Sequence, residues 1–214
     1  MDALPVDASG SLPQISPDGS LLAVRKSAAS GGRSIWVTDL TRNSSSPITF
    51  GRYDCCPAWS PSGKRLAFLR VTGKDPGVHI VDVTDASKDE LLKGAHYAPF
   101  SWSPDEEYLL LHSQTGQIMI LFALDGSQKL IPVGSRNGSS SHGRISPNGK
   151  FIAFTSNESG RDEIYVQAMP PDTWQGKVSI NGGQKPTVER RRERIVFRFA
   201  GRRDDGRGYD ARPG

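Results

Sequence analysis

Cys55 and Cys56 are adjacent thiols, and four histidines, His79, His96, His112 and His142, supply the chain's imidazoles. Neighbouring cysteines rarely reach the Cα and Cβ geometry of a disulfide, and this pair fits neither a CxxC nor a zinc spacing. Two half-buried structural thiols are therefore expected, with redox activity as the alternative reading. The histidines are scattered, and isolated imidazoles are more often solvated or hydrogen-bonded locally than catalytic. Asn157 to Glu163, "NESGRDE", puts three carboxylates, an amide and an arginine in one loop, an oxygen-rich set that could hold a cation. Its spacing does not match an EF-hand, so a charged hairpin loop is expected, with Glu158 or Asp162 pairing Arg161. "GSSSHG" at 138–143 lacks the G-x-S-x-G spacing of a nucleophile elbow, and no kinase glycine loop, HRD or DFG occurs. The residues thus predict no catalytic group, no cofactor and no metal site.

The strongest charge feature is "VERRRERIVFRFAGRRDDGRG", which starts at Val188. The formal charge of the whole chain is +4. Residues 185–214 hold 10 of the 27 Lys and Arg but only 5 of the 23 Asp and Glu, so the rest of the chain is close to neutral. A basic tail of this kind can neutralise phosphate, with Phe197 or Phe199 stacking on bases, but no basic face extends into the body. No window approaches the roughly 20 apolar residues of a membrane span, and the first residues show neither a basic nor an apolar signal region.

The element that would position these residues is an internal repeat. "ISPDGSLLAV" from Ile15, "WSPSGKRLAFL" from Trp59, "WSPDEEYLLLH" from Trp102 and "ISPNGKFIAFT" from Ile145 share one turn, with serines spaced by 44, 43 and 43 residues. Pro presets φ, Asp or Asn folds back on its own backbone, and Gly takes the positive φ that follows. The turn residues singled out are Ser16, Pro17, Asp18 and Gly19; Trp59, Ser60, Pro61 and Gly63; Trp102, Ser103, Pro104 and Asp105; and Ser146, Pro147, Asn148 and Gly149. Short apolar strands follow each turn, near 21–24, 66–69, 108–112 and 151–155. Alternating strands come next at 34–40, 78–83, 117–124 and 163–169, and weaker ones near Ile48, Leu91, 130–133 and 178–180. With the strand that enters each turn, this makes four antiparallel strands in about 43 residues, the unit of a β-propeller blade. The expected class is all-β, an incomplete propeller with blades at 12–56, 57–98, 99–141 and 142–187, an irregular segment at 1–11 and a tail at 188–214. Trp59 and Trp102 recur at one phase, which predicts packing between blades; Trp36 and Trp174 do not.

The motif of an apolar or Trp residue, Ser-Pro-Asp-Gly, spacers and Leu/Ile-Ala-Phe/Val resembles the WD40-like repeat of TolB-type bacterial β-propellers. The third copy departs from it at Glu106 and Leu110, so a looser turn is expected there. The fourth copy is similar to propellers fused behind bacterial serine/threonine kinase domains or transmembrane regulators. The resemblance implies a non-catalytic interaction or sensing module, part of a larger extracytoplasmic protein, that meets a protein or small ligand through rim loops. His112 and His142 are candidates for such a rim. Two alternatives are the substrate-gating propeller of a prolyl-oligopeptidase-like peptidase and a scaffold for a nucleic-acid-binding tail, the latter disfavoured.

The next repeat serine is due at 189, directly after Pro186 and Thr187, yet "VERRRERIVF" stands there. Shifting the reading frame by one base turns permitted codons for Val188 to Arg194 into Trp-Ser-Gly-Asp-Gly, at the phase the repeat demands. Residues 188–214 are therefore expected to be out-of-frame or disordered text, and the gene's nucleotide sequence decides it. Four open blades would leave unpaired edges, so a fragment of low stability, prone to associate, is expected.

Overall fold

The computed structural model describes residues 10–27, 31–50, 53–94, 97–115, 117–134, 137–171, 175–188 and 195–198, and among these every regular element is a strand. The chain divides into two compact units, Met1–Pro99 and Phe100–Gly214. In the first, β1 (Ser11–Ile15), β2 (Leu21–Ser27), β3 (Arg33–Asp39) and β4 (Ser44–Pro47) form one antiparallel blade. β5 (Tyr53–Trp59), β6 (Arg65–Thr72), β7 (Gly77–Asp82) and β8 (Asp89–Gly94) form the next. A single parallel pair, Arg33 with Tyr53, joins them into one sheet.

The remaining strands repeat the order. β9 (Tyr97–Trp102), β10 (Tyr108–Ser113), β11 (Met119–Ala123) and β12 (Leu130–Val133) form a third sheet. β13 (Ser140–Ile145), β14 (Phe151–Ser156), β15 (Glu163–Ala168) and β16 (Gln175–Lys177) form a fourth. The last strand of this blade thus lies just before the expected 178–180. There the chain leaves the ladder, with the Val178 amide bonding the Ile164 carbonyl at 2.8 Å. First strands run across the expected blade edges: β5 crosses residue 56, β9 residue 98 and β13 residue 141.

A final hairpin pairs β17 (Gln184–Val188) with β18 (Ile195–Arg198). Its closing pair, Val188 with Ile195, is seven residues apart, the separation of Ile15 and Leu22, Trp59 and Leu66, and Ile145 and Ile152. Everything past Pro186 was expected to be off the repeat. Ile195–Arg198, "IVFR", takes the register of a second strand, with β-branched Ile195 and Val196 at the positions of Ile152 and Ala153 in the fourth blade. Residues 189–194 and 199–214 lie outside the described residues.

Burial follows the alternation. Second and third strands are apolar on both faces, as sheets stacked between neighbours must be. Ala23, Ile35, Val37, Leu66, Phe68 and Val81 form the core shared by the first two blades. Leu110, Met119, Leu121, Ile145, Ile152 and Phe154 do so in the second unit. The other face of the fourth blade, with Phe151, Ala153, Ile164 and Val166, packs on Val178 and on Val188 of β17.

The repeated turn is one hydrogen-bonded device. Each serine hydroxyl accepts from the first amide of the next strand: Leu21 to Ser16 at 2.9 Å, Arg65 to Ser60 at 3.1 Å, Tyr108 to Ser103 at 2.8 Å and Phe151 to Ser146 at 3.1 Å. In three turns the hydroxyl donates onward to Asp18, Asp105 or Asn148, and in the second it bonds Ser62. The four serines are buried, so each hydroxyl replaces water that the amide cannot reach. Ser103→Ala is expected to lower stability by about 1–2 kcal/mol, since it strands the Tyr108 amide; the urea midpoint measures it, and an unchanged midpoint removes this role. Glu106 replaces the turn glycine and adopts φ of 60°. Glu106→Gly is expected to stabilise the chain by about 0.5–1 kcal/mol in the same assay, the left-handed strain exceeding glycine's entropy.

Candidate functional site

Those hydroxyls and carboxylates are committed to the turns, so chemistry has to be sought elsewhere. Trp59 bonds the preceding blade, its Nε1 donating to the Gln14 carbonyl at 3.0 Å, and Trp102 is buried. Trp36 Nε1 donates to Ser34 Oγ at 3.0 Å, and Lys26 Nζ stands 5.0 Å from the Trp36 ring centroid. Trp174 and His96 lie outside the described residues.

In the first unit, strands β5, β6, β7 and β8 converge on an ion network that the sequence did not reveal. Arg70 on β6 donates through Nε to Asp54 Oδ1 at 3.1 Å and through Nη2 to Asp89 Oδ2 at 2.6 Å. His79 Nδ1 lies 3.2 Å from Asp89 Oδ1, and its Nε2 lies 2.7 Å from the Asp75 carbonyl. Asp54 and His79 are buried; the His79 ring stacks on Phe68, over which Arg70 also lies. Burial alone would raise the Asp89 carboxyl; the hydrogen bond and charge of Arg70, with His79, more than offset it and hold it low. The four residues sit on four strands with no constant sequence spacing, so periodicity could not find them.

Beside this network opens a cavity of about 400 Å³ lined by Phe50, Arg70, Thr72, Gly73, Lys74, Ala86, Ser87 and Asp89. Phe50 is 72% exposed, an unusual position for a large aromatic side chain. The cavity offers an apolar surface, an ammonium and an already paired guanidinium.

The cysteines stand on β5, where the ladder skips between Cys55 and Ala58. Cys56 takes φ of 59° in this bulge, and its thiol donates to Cys55 Sγ at 3.1 Å. Both are free, Cys55 buried and Cys56 half-buried. That hydrogen bond lowers the Cys55 thiol's pKa and raises that of Cys56.

In the second unit the expected partner of Arg161 is corrected. Arg161 Nε donates to Glu163 Oε1 at 2.8 Å, whereas Asp162 accepts from Gln184 Nε2 at 2.6 Å and Glu158 from Gln175 Nε2 at 2.8 Å. Glu163 is fully buried; burial would raise its carboxyl, but Ser179, the Gly182 amide and Arg161 together lower it. No cluster of three metal-ligating side chains occurs among the described residues.

The two rim candidates come close in space. His112 on β10 and His142 on β13 are both half-buried, His112 Nε2 donating to the Ser140 carbonyl at 3.2 Å and His142 Nδ1 lying 2.9 Å from Ser141 Oγ. Arg144 and Lys185, neither of which the sequence reading singled out, join them. The missed signal is a phase: Leu12, Cys56, His142 and Lys185 each stand three residues before the turn's apolar residue, and all have positive φ. Pro99 occupies that phase in the third blade.

The family model for the TolB β-propeller domain matches residues 52–203. A TolB structure from Agrobacterium tumefaciens superimposes with a TM-score of 0.72 at 18% identity, over 86% of this chain and 68% of that one. TolB from Acinetobacter baumannii gives 0.68 at 20% identity, over 93% and 50%. The uncharacterized peptidase YuxL of Bacillus subtilis (strain 168) is 29% identical over 113 residues, 49% of this chain. The chain spans 17% of that relative's length.

Proposed function

Since the chain belongs to the TolB β-propeller family, we propose that it is a non-catalytic binding module that meets a protein partner through its rim loops. The observation that carries this reading is the open cavity beside Arg70, which exposed Phe50 and Lys74 both line in a setting already braced by paired ions. An aromatic anchor in a concave site next to a fixed charge is the usual centre of a protein interface. Selection of a random peptide display library on the immobilised chain tests it. A consensus sequence is expected, its binding falling about tenfold or more in Phe50→Ala and in Lys74→Glu. Enrichment no better on the wild type than on those variants overturns the reading.

A second reading, a propeller that gates the catalytic domain of a peptidase, draws on the similarity to YuxL. An α/β-hydrolase sequence encoded next to this chain would favour it; an adjoining kinase or regulator domain would favour the first.

A further inference from the structure

The second unit gathers basic side chains, Arg144, His142, His112 and Lys185, that form no salt bridge among the described residues. β13 bulges between Ser141 and Arg144, with His142 at φ 55°, and β17 bulges between Gln184 and Thr187, with Lys185 at φ 53°. The two bulges are neighbours. The Lys185 amide donates to Thr155 Oγ1 at 3.2 Å, and Thr155 is the ladder partner of Ser141, the residue before His142. Left-handed backbone at residues other than Gly costs on the order of 1–3 kcal/mol and persists only where the surroundings enforce it; here it is the bulge that recurs at Leu12 and Cys56, and it fixes where His142 and Lys185 stand.

Arg144 lies just past the bulge. Gly143 allows the close approach: a Cβ there would stand 2.7 Å from Leu110 Cδ2 and 2.8 Å from Met119 Sδ. The Arg144 guanidinium carbon sits 5.1 Å from the Phe100 ring centroid, and the His112 ring lies 5.2 Å from the same ring. Nη1 donates to the Gly143 carbonyl at 2.9 Å, and among the described residues no carboxylate pairs with it. Burial pushes the Arg144, His112 and His142 pKa values down, and the charges of Lys185, His112 and Arg144 push His142 further. Asp162 opposes this weakly and is itself engaged by Gln184. A half-buried guanidinium that no carboxylate pairs among the described residues is electrostatically incomplete.

We propose that Arg144, His142 and Lys185, with His112 and Phe100 beside them, form a site for a carboxylate presented by a peptide or protein partner. A guanidinium fork matches the planar carboxylate, and the His142 imidazole can add an uncharged N–H donor, the N–H of His112 being given to the Ser140 carbonyl. One half-buried guanidinium is balanced by a singly charged carboxylate, whereas a phosphate dianion would leave its second charge to the exposed, solvent-screened Lys185 ammonium. The carboxylate could be a chain terminus or an acidic side chain. The inference rests on the binding-module reading and names the chemistry of a partner's contact, at a place separate from Phe50 and Lys74.

The test is a titration of the full chain, read by the His112 and His142 ring proton resonances. The probes are a hexapeptide of Gly, Ser and Ala with a free C-terminus, its C-terminal amide, the amide with one internal Glu, and inorganic phosphate. The free acid is expected to bind about tenfold more tightly than the plain amide, and Arg144→Gln to remove at least about tenfold of that affinity. Lys185→Gln, at an exposed position where folding is not at stake, is expected to weaken it about threefold, while Lys150→Gln leaves it unchanged. If the Glu-bearing amide binds as the acid does, the source is a side chain; if it does not, a terminus. Equal binding of acid and plain amide, phosphate binding tighter than the acid, or affinity untouched by both Arg144→Gln and Lys185→Gln would each overturn the proposal. Display selection that depends on Phe50 alongside such a failure would remove this site and keep the binding module.

Discussion

Arg70→Ala is expected to lower the stability of the chain by about 3–5 kcal/mol, because it removes the guanidinium that pairs with the buried Asp54 carboxylate. Asp54 is fully buried and has Arg70 as its ion-pair partner, while Asp89 is partly screened by solvent. Against a total of about 5–15 kcal/mol for an ordinary domain, that loss is a large fraction. The double variant Asp54→Asn with Arg70→Gln should recover part of it, since neither charge is then orphaned. Equilibrium urea unfolding measures both, and a loss below about 1 kcal/mol for Arg70→Ala would mean that the network is a surface pair of little weight. The same network sets an acid limit. Asp89 is held below its unfolded pKa, so its contribution is complete above about pH 4 and is lost as the pH falls through the lower, folded value. Arg70→Ala should remove that part of the acid sensitivity.

Phe154→Ala is expected to cost a similar amount, about 3–5 kcal/mol, through lost burial and the cavity left behind. Phe154 is fully buried, stacks on Tyr165 with ring centroids 6.0 Å apart, and belongs to the core that the third and fourth blades share. Phe154→Leu keeps most of the volume and should cost less than half as much. Equal costs for the two would show that the site collapses around the smaller side chain, and that these blades do not pack against one another as described.

Much of the fold was legible because its signals are local. Ser-Pro-Asp-Gly defines a turn within four residues, and the repeated phase of Ser16, Ser60, Ser103 and Ser146 carries the strand order with it. Even Glu106, the departure from glycine, kept the turn, because the Ser103 hydroxyl and carbonyl still bind Tyr108 and Glu106. The candidate sites were illegible for the opposite reason. Arg70 meets Asp54 and Asp89 only because β6 lies between β5 and β7, with β8 beyond, and Arg144 reaches the Phe100 ring that His112 also touches only across two blades. Arg161 was matched to Glu158 or Asp162; Glu163 won because it opens β15 and is fixed in place by Ser179 and Gly182. Within the arginine run, Ile195 pairs with Val188 in the common register, a match that composition alone does not display.

Amide hydrogen exchange, resolved by residue, tests the central claim most directly: four blades built by one repeated turn, with a fifth hairpin in the same register. The account predicts matched slow exchange at Leu21, Arg65, Tyr108 and Phe151, whose amides the buried turn serines hold, and protection in the second and third strands of every blade. Rapid exchange at those four amides, or protection that does not recur with the repeat, would contradict it.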